Sequence, residues 1–71
     1  MNKARLEYEM KIKGLNTEEM CKLLKISRSA FYRKCNGKTE FTRAEIERII
    51  EILKIDKAEA MVEIFFDDKV S

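Results

Sequence analysis

Between Lys25 and Lys38 the chain carries five bases, Lys25, Arg28, Arg33, Lys34 and Lys38, and no acid. A guanidinium can donate two parallel hydrogen bonds to the O6 and N7 of a guanine, and an ammonium can neutralise a phosphate. A basic stretch of this kind suits a polyanion. The whole chain is only +2, but its charge is divided: residues 1–38 hold ten bases against four acids, and residues 39–71 hold five against nine. An unevenly charged solvated surface gives the same counts, so charge alone leaves both readings open.

Other chemistry is poorly supplied. The chain has no His, which removes the commonest general base and the usual partner of a Ser or Cys nucleophile. Cys21 and Cys35 are its only cysteines, and nothing completes a zinc site around them. In a cytosolic chain they read as small buried hydrophobes rather than a disulfide. Seventy-one residues make one small domain, with little room for a core and a catalytic pocket together. We therefore expect no catalytic residue, cofactor, metal or small-molecule ligand. An apolar share of 45% excludes a disordered chain. No stretch approaches the ~20 consecutive apolar residues of a membrane span. Charged residues from Lys3 to Lys11 interrupt any signal-peptide core, so a cytoplasmic protein with no membrane partner is expected.

The elements that must hold the basic stretch are legible from caps and periodicity. With no Pro, no repeat and no linker, residues 1–71 read as one domain. Over residues 3–13, Leu6, Tyr8, Met10 and Ile12 alternate with charged residues, which is a strand period. The same segment offers Leu6 and Met10 as an i,i+4 pair, Glu7–Lys11 and Glu9–Lys13 ion pairs, good helix formers and a stop at Gly14, and these favour a helix. Asn16, with Glu19 three residues on, caps a second helix whose apolar residues are Met20, Cys21, Leu23 and Leu24. That helix ends near Leu24, and Ser27 caps a third over about Arg28–Cys35.

At about 100° per residue, Arg28, Ser29, Tyr32 and Arg33 share one face of the third helix and Phe31 and Cys35 the other. Asn36-Gly37 closes it. Thr42 with Glu45, and Asp56 with Glu59, form capping boxes for a fourth and a fifth helix. Their stripes are Ile46, Ile49, Ile50 and Leu53, then Ala58, Met61, Val62 and Phe65. From Asp67 onward the end is expected to fray. Five short amphipathic helices make a compact all-α domain. The expected core is Leu6, Met10, Leu15, Met20, Leu24, Ile26, Phe31, Phe41, the four stripe residues of the fourth helix, Met61, Val62 and Phe65, each burial contributing roughly 1.5–3 kcal/mol before ordering entropy is subtracted.

Residues 17–36 resemble a helix-turn-helix of the lambda-repressor-like, Cro-type family. Met20, Leu24, Ile26 and Phe31 stand at its apolar positions, and the small Cys21 stands where its two helices meet. Lys25-Ile26-Ser27 forms the turn, and Asn36-Gly37-Lys38 is similar to the family's exit from the recognition helix. Lys13-Gly14-Leu15 ahead of it, and Gly37 to Thr42 and Ile64-Phe65-Phe66 after it, look like small phage-encoded regulators, so the resemblance covers nearly the whole chain. Two positions depart from the pattern. Lys25 stands where Gly is usual and needs a left-handed backbone. Lys34 replaces a late hydrophobe, so that either Cys35 packs in its place or Lys34 lays its stem along the core and holds its amine outside.

The resemblance implies a transcriptional regulator reading double-stranded DNA in the major groove. It implies base contacts from Arg28, Ser29, Tyr32 and Arg33, and phosphate contacts from Thr17, Ser27, Asn36, Lys38 and Arg43. It further implies a homodimer on a palindromic operator, weak or formed only on DNA. Apolar residues off the core stripes, Ile52, Ile64 and Phe66, are the interface candidates. The competing reading for each residue is structural: exposed helix positions for the arginines, caps for Thr17 and Asn36, and isolated surface hydrophobes for the interface set. Two rival classes remain. One is an antitoxin-type protein-interaction module gripping a partner through Phe65-Phe66 and the acidic second half. The other is an RNA binder, which would usually show several exposed aromatics where only Tyr32 is placed for stacking.

Overall fold

The structure, a computed structural model, describes residues 1–66. The expected fraying from Asp67 lies outside the described residues. The helices are α1 (Lys3–Ile12), α2 (Thr17–Leu24), α3 (Arg28–Cys35), α4 (Arg43–Leu53) and α5 (Lys57–Ala60), the last continuing as a π-helical turn over Met61–Phe65. All five begin on a side-chain cap. Asn2, Asn16, Ser27, Thr42 and Asp56 each accept a hydrogen bond from the backbone N–H three residues on, at 2.8–3.1 Å. Glu19 and Glu45 return the bond to their cap residues, closing two of the three expected boxes. At the third, Glu59 instead turns its carboxylate to Arg5.

The first helix settles the ambiguity between strand and helix. Leu6 and Met10 are buried, whereas Tyr8 and Ile12, the other half of the alternation, stand 57% and 55% exposed on the outer face. The expected Glu7–Lys11 and Glu9–Lys13 pairs do not form among the described residues. Glu9 is buried and pairs backwards with Arg5 at 3.1 Å. The same guanidinium reaches Glu59 and Glu63 at 3.3 and 3.2 Å, tying the first helix to the last. Backbone joins them too, the Asn2 N–H donating to the Ile64 carbonyl at 2.7 Å.

The core gathers Leu6, Met10, Met20, Leu24, Phe31, Phe41, the four expected residues of α4, and both cysteines. Leu15 and Ile26 pack against it half-buried, and Leu23 is exposed. The fifth helix departs from expectation. Ala60, Ile64 and Phe65 are its buried residues, while Val62 is 66% exposed, Ala58 is exposed and Met61 half-buried. Ala60 and Ile64 are an i,i+4 pair on the face opposite Val62, and it is this face that docks inward. The Phe66 N–H donates to Met61, five residues back, at 2.8 Å. That wider π turn rotates less per residue than a 3.6 period and brings Phe65 round toward the face of Ile64. Ile64, expected on the outer face as an interface residue, is accordingly in the core at 1% exposure. Ile52 is half-buried against the core, and of the three interface candidates only Phe66 is fully exposed, at 64%.

Candidate nucleic-acid interface

The turn between α2 and α3 is short because Lys25 reverses the chain in one residue. Its backbone is left-handed, φ 60° and ψ 42°, as the departure from Gly required. A residue with a Cβ bears a cost of roughly 1 kcal/mol there. The Ile26 N–H donates to Cys21 at 3.1 Å, and Ser27 opens α3 two residues later.

Arg28, Ser29, Tyr32 and Arg33 are all exposed, and Phe31 and Cys35 on the opposite face are buried. Among the described residues neither arginine makes an ion pair or a side-chain hydrogen bond. Tyr32 is held on one side only, edge-on to Phe31 at 6.3 Å between centroids. Phe31 meets Phe41 at 6.0 Å, and Phe41 meets Phe65 at 6.0 Å. The two edge-to-face contacts through Phe41 thus brace the basic helix against the last helix, each contributing about 0.5–1.5 kcal/mol beyond its buried area.

The expected phosphate contacts fall at helix starts and at the exit turn. Thr17 and Arg43 are the first residues of α2 and α4, where unpaired backbone N–H groups favour an anion. Arg43 is 88% exposed at its side chain and reaches only Glu47, at 3.4 Å. The Ser27 hydroxyl is engaged as the cap of α3. Asn36 ends α3, and its Oδ1 accepts from the Lys3 ammonium at 3.2 Å. Lys38 is exposed, and its backbone N–H donates to the Arg33 carbonyl at 2.9 Å, which fixes the exit turn to α3. Gly37, at φ 81°, supplies the left-handed step that makes this turn.

Lys34 belongs to neither group. Its stem is largely buried, its Nζ lies 3.0 Å from the Glu45 carboxylate and 3.2 Å from the Glu40 carbonyl, and it sits 5.8 Å over the Phe41 ring. Burial pushes the Glu45 carboxyl up. The Thr42 N–H and the Lys34 ammonium outweigh that and hold it below its ordinary range. Cys35 packs in place of the departed hydrophobe, and the Lys34 stem lies along the core as well, but its amine is held against Glu45 rather than outside. Burial raises the Cys35 thiol to about 11 and also raises Cys21, which favours the neutral thiol at both. Among the described residues no group of three metal-ligating side chains converges, and no helix is long and apolar enough to cross a membrane. Sequence reasoning missed the Lys3–Asn36 hydrogen bond and the Lys34–Glu45 ion pair. Only the cap role of Glu45 had a local signal; the other contacts need the helices packed.

An open groove of about 590 Å³ lies beside the exit turn, floored by Phe41, Ile46 and Phe65 and edged by Arg43, Lys57 and Phe66.

Comparison with known proteins agrees with this geometry at the level of the motif. No curated protein and no solved structure matches the chain. Residues 4–61 match the family described as a helix-turn-helix domain. That span runs from the first helix through the capped pair α2–α3 and into the last helix, and the chain belongs to the helix-turn-helix domain family.

Proposed function

We propose that the protein is a sequence-specific regulator of transcription, of the Cro or repressor type found in phages, that lays α3 in the major groove of double-stranded DNA. Its work is binding rather than catalysis, in the cytoplasm. One observation carries the reading: α3 presents Arg28, Ser29, Tyr32 and Arg33 to solvent while its other face is locked into the core. Two guanidiniums without an intramolecular ion pair among the described residues, on a helix narrow enough for the groove, are donors in need of acceptors. Arg28 and Arg33 read guanine. Ser29 adapts to several bases, and Tyr32 takes a thymine methyl or a phosphate. Thr17, Ser27, Asn36, Lys38 and Arg43 fix the helix on the backbone.

One eight-residue helix reads only a few base pairs, and we infer a homodimer on a palindrome to reach useful specificity. Phe66, exposed at the edge of the groove, is its apolar contact, with the partly covered Ile52 beside the core as a lesser one. Selection of bound duplexes from a randomised pool tests both statements. The expected outcome is a palindrome whose half-sites lie about 10 base pairs apart centre to centre. Recovery of no enriched sequence refutes sequence-specific reading, and recovery of a single short half-site refutes the dimer.

A further inference from the structure

Lys34 is a base on the recognition helix that points away from the reading face. At about 100° per residue it lies about 170° from the middle of the arc occupied by Arg28, Ser29, Tyr32 and Arg33. Its side chain is 14% exposed, against the open exposure of the reading residues. Its ammonium meets three things from outside its own helix: the Glu45 carboxylate at 3.0 Å, the Glu40 carbonyl at 3.2 Å, and the face of Phe41 at 5.8 Å. Glu45 is itself committed, its Oε1 accepting the Thr42 N–H at 2.8 Å in the capping box of α4.

From this geometry we propose that Lys34 and Glu45 are a positioning pair for DNA reading. They clamp the recognition helix to the 36–42 turn and to the start of α4, and Lys34 itself does not touch DNA. The proposal rests on the DNA-binding reading above. The clamp has an evident purpose in that reading. Lys38, tethered to the Arg33 carbonyl, and Arg43, first residue of α4, both stand on the segment that Lys34 holds. Phosphate contacts set the register of a helix in the groove, so the angle between that segment and α3 decides where Arg28 and Arg33 meet the bases. A preformed angle avoids ordering the turn at the moment of binding.

Pure electrostatics and positioning predict opposite signs for Glu45. Removing a carboxylate from a DNA-binding face strengthens association if only charge matters. If Glu45 positions, its removal weakens selective binding. The test compares the wild type with Lys34→Met, which keeps the stem, Glu45→Gln, which keeps a cap acceptor, the double variant, and Lys34→Arg. The probes are the duplex recovered from the randomised pool and a scrambled duplex of the same length, titrated across salt at a temperature where circular dichroism shows each variant folded.

Lys34→Met and Glu45→Gln should each lower the ratio of selected to scrambled affinity on the order of tenfold. The double variant should lose no more than either alone, Lys34→Arg should restore most of the ratio, and the salt slope should stay at the wild-type value. A fall in affinity for both duplexes with a salt slope shallower by about 0.9 per contact makes Lys34 a phosphate ligand and overturns the proposal. So does tighter binding, or an unmoved ratio, for Glu45→Gln. Should Lys34→Met or Glu45→Gln fail to fold, the ratio and salt slope of Lys34→Arg with the other variant decide by the same signs. A wild-type protein that enriches no duplex instead refutes the DNA reading itself, a result distinct from any failure of the pair.

Discussion

Arg28 occupies the first position of α3, a helix with no acidic residue in its first turn. Its charge stands at the positive end of the helix dipole, and no carboxylate among the described residues pairs with it. At an exposed site this placement costs about 0.3–1 kcal/mol. Arg28→Ala removes that repulsion at no cost in helix propensity, so the free protein should become more stable by about that amount. For a domain of this size the upper end corresponds to a rise in Tm of about 4–8 °C. If Arg28 docks as proposed, the same substitution should remove a bidentate guanine contact of roughly 1–3 kcal/mol, about 5- to 150-fold in preference for the selected site per protomer. Urea unfolding followed by circular dichroism measures the first quantity. Competition between the selected and scrambled duplexes measures the second. The two changes should carry opposite signs, as expected of a residue kept for binding at the expense of the fold. If Arg28→Ala destabilises the protein, or leaves the specificity ratio untouched, the docking reasoning is wrong.

Other substitutions separate the remaining roles. Lys38→Ala should weaken selected and scrambled duplexes alike and flatten the salt dependence by about 0.9 per lost phosphate contact, read from the slope of log affinity against log salt. Lys25→Gly should relieve the left-handed strain and raise unfolding free energy by up to ~1 kcal/mol in urea titration, with binding unchanged; a loss of stability would mean that the Lys25 side chain supports the fold. Cys21 and Cys35, buried and held protonated, should resist iodoacetamide in the folded protein and react at a rate that follows global opening; fast labelling under native conditions would show that the α2–α3 junction opens locally.

Most of the fold was legible because its signals are local. A cap needs only a short polar side chain and the N–H three residues on, so Asn16, Ser27 and Thr42 mark helix starts in sequence and structure alike. A stripe of apolar residues at helical spacing likewise named the buried face of α4. The left-handed turn at Lys25 was legible by analogy with a Gly position. The exposed face of α3 followed from a wheel, since Phe31 and Cys35 could bury only by turning the arginines outward.

The sequence by itself thus determined where the helices begin, the buried faces of α3 and α4, and the outward placement of Arg28 and Arg33. Only the tertiary structure decided what depends on elements far apart in the chain. The alternation of Leu6, Tyr8, Met10 and Ile12 fits either period, and packing of Leu6 and Met10 into a core of helices selected the helix. The Arg5 guanidinium gathers Glu9 with Glu59 and Glu63 across more than fifty residues. The last helix offers two apolar faces, and docking of the Ala60–Ile64 face beside the first helix hides Ile64 and exposes Val62. Lys34 reads from sequence as a base at a hydrophobe's position with its amine outside; its ammonium is turned inward because Glu45, Glu40 and Phe41 arrive beside it only when α4 docks. Caps and periods are set by neighbours within one or two turns, whereas a side chain's charge partner is set by which helix is laid against it.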